Sequence, residues 1–401
     1  MSTPVYRFIE PLDVLFLRGN KLFGDPGSYG ESLIPPWPSV AAGAIRSRML
    51  VDRQIDLNAF AQGKVTGDAE LGTPEVPGSF VLAGFYLARR AVDGRVEVLM
   101  PSPADLVISR SAAGVPQVSA LAPQAMGLPS SFPLPMLPVL AQGQQRSKPE
   151  SGYWLTQAAW ATYLQGGLPA AEQLVHSSQL WGFDARVGIG LDSTTGSVED
   201  GKLFSVQAVV LHKQGQPLGT DQQSGRPQLQ GHDIGFLAAV AGAMPPAEGL
   251  LRFGGDGRAA AISEAPVDLP QPDYEALARS GRCRLILTSP AMFPEGWQLP
   301  GTDADNRLVL AEGVTARVVS AAVARAESLS GWDLAKQQPK ALQRVVPTGS
   351  VYWLDELESS PAALRKLVEN GLWPGAGNNE ANVTRRAEGF NRLAIAAWAQ
   401  R

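Results

Sequence analysis

Forty-two glycines and 32 prolines break this 401-residue chain into short blocks, and that punctuation constrains its fold more than any other feature. Strand-like and helix-like blocks mix without the regular strand–helix repeat of a doubly wound sheet. This points to an α+β fold of short elements joined by glycine loops. The chain exceeds the length at which single cores stop growing, so two packed domains are expected. Hydrophobic residues at 44% against 18% charged supply enough apolar surface for such cores and exclude disorder as the main state.

Local patterns place the elements. Residues 5–10 read as a strand, 15–30 as a glycine-bearing loop, and 40–50 as a helix capped by Ser39 after Pro35, Pro36 and Pro38. Residues 80–89 and 95–100 read as a hairpin around Asp93-Gly94. From 111 to 150 an Ala/Pro-rich composition reads as an insertion or long surface loop, because Pro133, Pro135 and Pro138 stop helices and central strands. Residues 154–164 and 171–180 read as short helices, 186–191 and 203–211 as a strand pair, and 234–244 as a buried, alanine-rich helix. Residues 251–262 read as a hairpin crossing Phe253 to Arg258. Runs at 282–287, 314–323 and 345–354 are β-prone, 361–370 is a helix stopped by Gly371, and 389–398 is a last strand or helix.

Charge and chemistry narrow the function. A net charge of −4 and a sequence pI near 5.6 argue against coating nucleic acid by bulk charge, which leaves a local basic groove. One cysteine, Cys283, excludes a disulfide framework and a multi-cysteine zinc site. With no apolar run of signal length in residues 1–10 and none of the roughly 18–20 residues that span a bilayer, a cytoplasmic protein with no membrane partner is expected. His176, His212 and His232 stand in no metal-binding spacing, and no H-E-x-x-H, G-x-S-x-G or Walker sequence occurs. Gly188-Ile189-Gly190 lacks the third glycine of a dinucleotide fingerprint, since position 193 is Ser, and reads as a twisted strand. The suggestive segments are three where arginine accompanies glycine: 18–30, 254–258 and 385–392. A backbone without side chains can approach a sugar-phosphate chain while a neighbouring guanidinium takes the phosphate.

Several blocks together resemble a known family. Phe8-Ile9-Glu10-Pro11-Leu12-Asp13-Val14-Leu15-Phe16 with Arg18, then Pro35-Pro36-Trp37-Pro38-Ser39-Val40-Ala41-Ala42-Gly43-Ala44-Ile45-Arg46, resemble the amino-terminal signature of the third Cmr subunit of type III-B CRISPR effector complexes, in the RAMP superfamily. Arg186-Val187-Gly188-Ile189-Gly190-Leu191-Asp192, residues 201–204, Phe253 to Arg258, Gly331-Trp332-Asp333 and Pro347-Thr348-Gly349-Ser350-Val351-Tyr352 look like further blocks, in family order.

The resemblance implies two ferredoxin-like (RRM-like) domains with long loop insertions, divided here as 1–200, with its insertion at about 111–150, and 201–401. It implies a non-catalytic subunit that holds the 5′ handle of a guide RNA and bridges the large palm-domain subunit to the backbone subunit of the filament, with no cofactor and no metal. The alternative is a RAMP endoribonuclease acting on guide or target RNA, against which the scarcity of histidine weighs. Single-stranded RNA can be held by loops that take phosphates and stack bases, with no general base required. The expected RNA contacts are Arg18, Asn20, Lys21 and Phe23 in the first loop, Arg46 on the first helix, and Gly254, Gly255 and Arg258 in the hairpin turn. Lys340, Arg344, Thr348 and Ser350 form a further group before a strand, and Asn391 and Arg392 lie in a terminal loop with a single glycine where many RAMP proteins carry several.

Overall fold

A computed structural model describes residues 3–17, 29–30, 32–111, 114–125, 127, 131–140, 148–192, 194–220, 227–333, 338–373 and 380–398. Two antiparallel sheets dominate. The first has eight strands, in the order Glu248–Arg252, Ala259–Glu264, Val5–Pro11, His232–Ala241, Val81–Ala91, Val96–Pro101, Tyr153–Leu155 and Leu174–His176. The second has five, in the order Arg307–Ala311, Val314–Ala322, Val351–Ser359, Cys283–Leu287 and Leu393–Ala396. Among the described residues no helix is long and apolar enough to cross a membrane.

Both sheets are built around the same four-strand arrangement. Taken in chain order, Val5–Pro11, Val81–Ala91, His232–Ala241 and Ala259–Glu264 lie side by side as fourth, first, third, second, every neighbour antiparallel. Cys283–Leu287, Val314–Ala322, Val351–Ser359 and Leu393–Ala396 repeat that order. Each sheet has helix in one crossover. In the first it is Pro38–Asp52, with the short Leu57–Ala61, between first and second strands; in the second it is Pro361–Asn370, with Glu380–Ala387, between third and fourth. The other crossover of the first sheet carries the strand Glu248–Arg252 instead of a helix, and that of the second carries the strand Arg307–Ala311.

Burial explains where the sequence reading departs from the structure. Of residues 234–244, read as a helix, 234–241 belong to the strand His232–Ala241, buried from Ile234 to Ala241. Ile234, Phe236, Ala238 and Val240 pack with Ala41, Ala42, Ile45 and Met49 of the first helix, while Leu237 packs on the opposite face with Phe8, Ala88 and Val98. A strand covered on both faces is apolar at every position, so it shows no period-2 alternation and reads like a buried helix. Gly235 is demanded here, because a Cβ would lie 2.6 Å from the carbonyl oxygen of Ile9.

The first helix starts earlier than expected. Pro38 occupies its first turn with Trp37 as N-cap and no side-chain capping bond, so Ser39 is not the cap; proline's fixed φ and missing N–H suit that position. Residues 171–180 are not a helix but the edge strand Leu174–His176 between two single 3-10 turns, and Tyr153–Leu155 is a strand before the helix Gln157–Leu164, capped by Thr156. The expected insertion is in part a three-stranded sheet, Leu106–Arg110, Pro116–Gln124 and Leu137–Leu140, in which Pro138 sits on the edge strand that proline tolerates.

Because residues 232–264 supply three strands of the first sheet, the chain passes from one sheet to the other between Glu264 and Cys283 rather than at residue 200. The two halves share a core in which Met100, Leu155, Trp160 and Tyr163 meet Ile286, Val319, Val351, Trp353 and Ala396.

Candidate nucleic-acid interface

The hairpin turn after Glu248–Arg252 is built by glycine. Phe253 donates its N–H to the Arg258 carbonyl at 2.8 Å, and Gly254 has φ +81°. A Cβ on Gly254 would lie 3.1 Å from the Phe16 carbonyl oxygen, which accepts the Gly255 N–H at 2.8 Å. The turn is thereby pressed onto residues 16–17. Arg258 pairs with Asp13 at 2.9 Å and sets its guanidinium 5.0 Å from the centre of the Phe16 ring. Arg186, tethered to Asp184 at 2.9 Å, reaches the same ring at 5.8 Å. Two guanidiniums from segments far apart in sequence therefore flank one aromatic ring, held by cation–π attraction as well as by their carboxylates.

Arg18, Asn20, Lys21 and Phe23 lie outside the described residues. The ends of their segment are pinned: Leu33 donates its N–H to the Leu17 carbonyl at 2.7 Å, and Tyr29–Gly30 pairs in parallel with Ser205 and Val206. The turn from Phe253 to Arg258 thus stands against residues 16–17, which lead into the first loop.

The other expected contacts stand elsewhere. Arg46 donates to the carbonyls of Leu71 at 2.9 Å and Thr73 at 3.4 Å, and burial lowers its pKa while the Glu388 carboxylate opposes the shift. Glu388 also receives Lys340 at 3.2 Å and Arg385 at 2.7 Å, so these cations surround one carboxylate. Arg344 is exposed on the strand Gln343–Val345, and Thr348 is half-buried.

Three expectations are corrected. Ser350 is buried and donates its hydroxyl to the Pro347 carbonyl at 2.8 Å, a turn-locking role. Asn391, 2% exposed, accepts the Met292 N–H at 2.8 Å and donates to the Leu372 carbonyl at 2.9 Å. Arg392 is 3% exposed and donates to the Glu369 carbonyl at 2.8 Å. The single glycine of this loop, Gly389, would carry its Cβ 2.9 Å from the Leu82 carbonyl, so the loop packs one half against the other.

The sequence reading also missed a surface. The strand pair is a long hairpin, Trp181–Leu191 with Val198–Leu211, and Phe183, Val187, Ile189 and Leu191 turn one apolar face to solvent, Val187 being 70% exposed. Across the hairpin Leu203, paired with Ile189, is exposed too. The signal was the strict alternation of Phe183, Ala185, Val187, Ile189 and Leu191 with polar residues and glycine; the usual inference would turn that face inward. Gly188 opposite is required because the Phe204 ring lies over it. Among the described residues no group of three His, Cys, Asp or Glu side chains could hold a metal ion.

The family model for CRISPR-associated protein (Cas_Cmr3) matches residues 7–398. No curated protein matches the chain. Two solved structures contain chains similar to this one. One, "Cryo-EM structure of the Type III-B Cmr-beta bound to cognate target RNA and AMPPnP, state 1", has a chain 13% identical, with 97% of this chain and 98% of that chain covered and a TM-score of 0.48. The other, "Cryo-EM structure of the Type III-B Cmr-beta bound to cognate target RNA", has one 14% identical, with 97% and 96% covered and a TM-score of 0.45.

Proposed function

The chain belongs to the family of CRISPR-associated protein (Cas_Cmr3), and from that premise we propose that it is a non-catalytic, guide-RNA-binding subunit of a type III-B CRISPR effector ribonucleoprotein. In this reading each four-strand core is a ferredoxin-like unit, related to the RNA recognition fold, in which one crossover helix has been replaced. The subunit holds the 5′ handle of the guide RNA and bridges the large palm-domain subunit to the backbone filament.

The observation that supports the RNA reading is the convergence of Arg258 and Arg186 on Phe16 at the foot of the loop that carries Arg18, Asn20, Lys21 and Phe23. Guanidiniums fixed beside a glycine turn can take phosphates by charge-assisted bonds, and aromatic side chains of the loop can stack unpaired bases. Arg344, exposed on its strand, is a further phosphate contact in this reading. The acidic net charge fits a subunit that needs one basic surface and meets proteins elsewhere.

The test is guide-RNA retention by the assembled complex carrying Arg186→Ala and Arg258→Ala, measured against salt. Retention should fall, and the slope of log affinity against log salt should lessen by roughly 0.7 for each phosphate of single-stranded RNA that is no longer neutralised. Unchanged retention and slope, or metal-dependent RNA cleavage by the purified subunit, would overturn the reading.

A further inference from the structure

The C-terminal end of the helix Pro361–Asn370 gathers two arginines with no carboxylate partner among the described residues. Arg392 donates one nitrogen to the Glu369 carbonyl at 2.8 Å, and Arg386 donates one to the Asn370 side-chain oxygen at 3.1 Å. Adjacent residues of one helix end therefore hold both guanidiniums, and each charge lies in the field of the other. The helix dipole favours cations at this end and accounts for the one nitrogen that each arginine gives the helix. It leaves the rest of their donors unexplained. Nε and Nη2 of Arg392 and Nε of Arg386 are buried without a hydrogen-bond partner. So is the indole Nε1 of Trp373, which stands 3.3 Å from the position of a Cβ on Gly371, the residue that ends the helix.

Buried polar groups are nearly always satisfied, and two guanidiniums sharing one low-dielectric place repel each other. Among the described residues no carboxylate faces Arg392, and the sequence between Trp373 and Glu380 contains no acidic residue. Tyr86, across the junction on the first sheet, is the other group that faces Arg392 electrostatically; its hydroxyl is pushed up to about 12 by desolvation, so it remains a neutral donor.

We propose that Arg386, Arg392 and the Trp373 indole form a binding site for a phosphoryl group. Two guanidinium forks and an indole N–H supply four unanswered donors, which match the several oxygens of a tetrahedral oxyanion. Arg392 is 3% exposed whereas Arg386 is half-buried, so Arg386 is on the solvent side of the site. The bound anion ties the helix end to the terminal loop that packs on the first sheet. The site stands apart from the Arg186 and Arg258 pair and does not depend on the RNA reading.

The experiment titrates inorganic phosphate into the full chain at constant ionic strength, with chloride as the control. The melting temperature should rise by about 2 °C or more at 100-fold excess over the dissociation constant. The indole resonance that disappears in Trp373→Phe should move in a heteronuclear NMR titration, and Arg386→Gln should remove both responses while the fold persists. Guide RNA then separates two sources of the group: RNA that displaces phosphate places one of its own phosphates here, and RNA that binds beside it assigns the site to the free anion. Phosphate that stabilises no more than chloride, or an equal response in Arg386→Gln, would overturn the site.

Discussion

Asp105 and Arg284, 179 positions apart, form an ion pair at 2.6 Å that is closed to solvent at the junction of the two sheets. Arg284 also donates to the carbonyls of Tyr163 and Ala397, each at 2.9 Å, and lies 4.1 Å from the centre of the Tyr163 ring. The Tyr163 hydroxyl donates to the other Asp105 oxygen at 2.7 Å. Each charge is thus paired and hydrogen-bonded, the condition under which a buried ion pair is tolerated.

Removing one partner strands the other charge. Asp105→Ala or Arg284→Met should each destabilise the protein by about 3–5 kcal/mol, whereas the double replacement Asp105→Leu with Arg284→Met should recover much of that loss. Urea unfolding of the three variants measures it. A loss in the double variant equal to the sum of the two single losses would show that the pair is not coupled.

The turn at Gly254 predicts a graded response. Gly254→Ala forces a side chain into a left-handed conformation against Phe16 and Leu17, while Gly257, at φ +63°, has open space beside it. Gly257→Ala should cost about 1 kcal/mol and Gly254→Ala more, within the roughly 1–3 kcal/mol range of backbone strain. Chemical denaturation ranks the two, and the reverse order would contradict the packing of this turn.

The exposed face of the long hairpin predicts the opposite pattern. Val187→Ser and Ile189→Ser should change folding stability by no more than about 0.5 kcal/mol, because neither side chain is in the core. Binding of an apolar dye and self-association of the isolated chain should fall, as expected when a solvent-facing apolar patch is broken up. A large loss of melting temperature would mean that this face is buried by the chain itself.

Stability should depend on pH through His232. Burial first, and then the positive charge of Arg89, lower its pKa below the usual value near 6.5. As pH falls below that value the unfolded chain takes up the proton before the folded one does, so stability is lost on acidification through this window and is unaffected by His232 above it. His232→Gln should flatten the stability profile on the acid side of about pH 6.5. A profile identical to that of the parent would remove His232 as the cause.

What the sequence by itself determined is local or cumulative. The hairpin of residues 81–101 and the turn from Phe253 to Arg258 were legible because turn residues act on their immediate neighbours. The helix Pro361–Asn370 was legible for the same reason, with Ser360 capping one end and Gly371 the other. The family was readable from blocks spread along the chain, since their order needs no folding to be seen.

Tertiary structure decided whatever depends on residues distant in sequence. A run that is apolar throughout became the central strand His232–Ala241 only because the first helix covers one of its faces and Phe8, Ala88 and Val98 the other. Arg258 and Arg392 look alike in sequence, each beside a glycine turn. One stands at the foot of a loop with its charge beside an aromatic ring, and the other lies inside the junction of the two halves. Burial is a property of the whole packing, and it alone separates a cation at the foot of an open loop from one enclosed between the two halves.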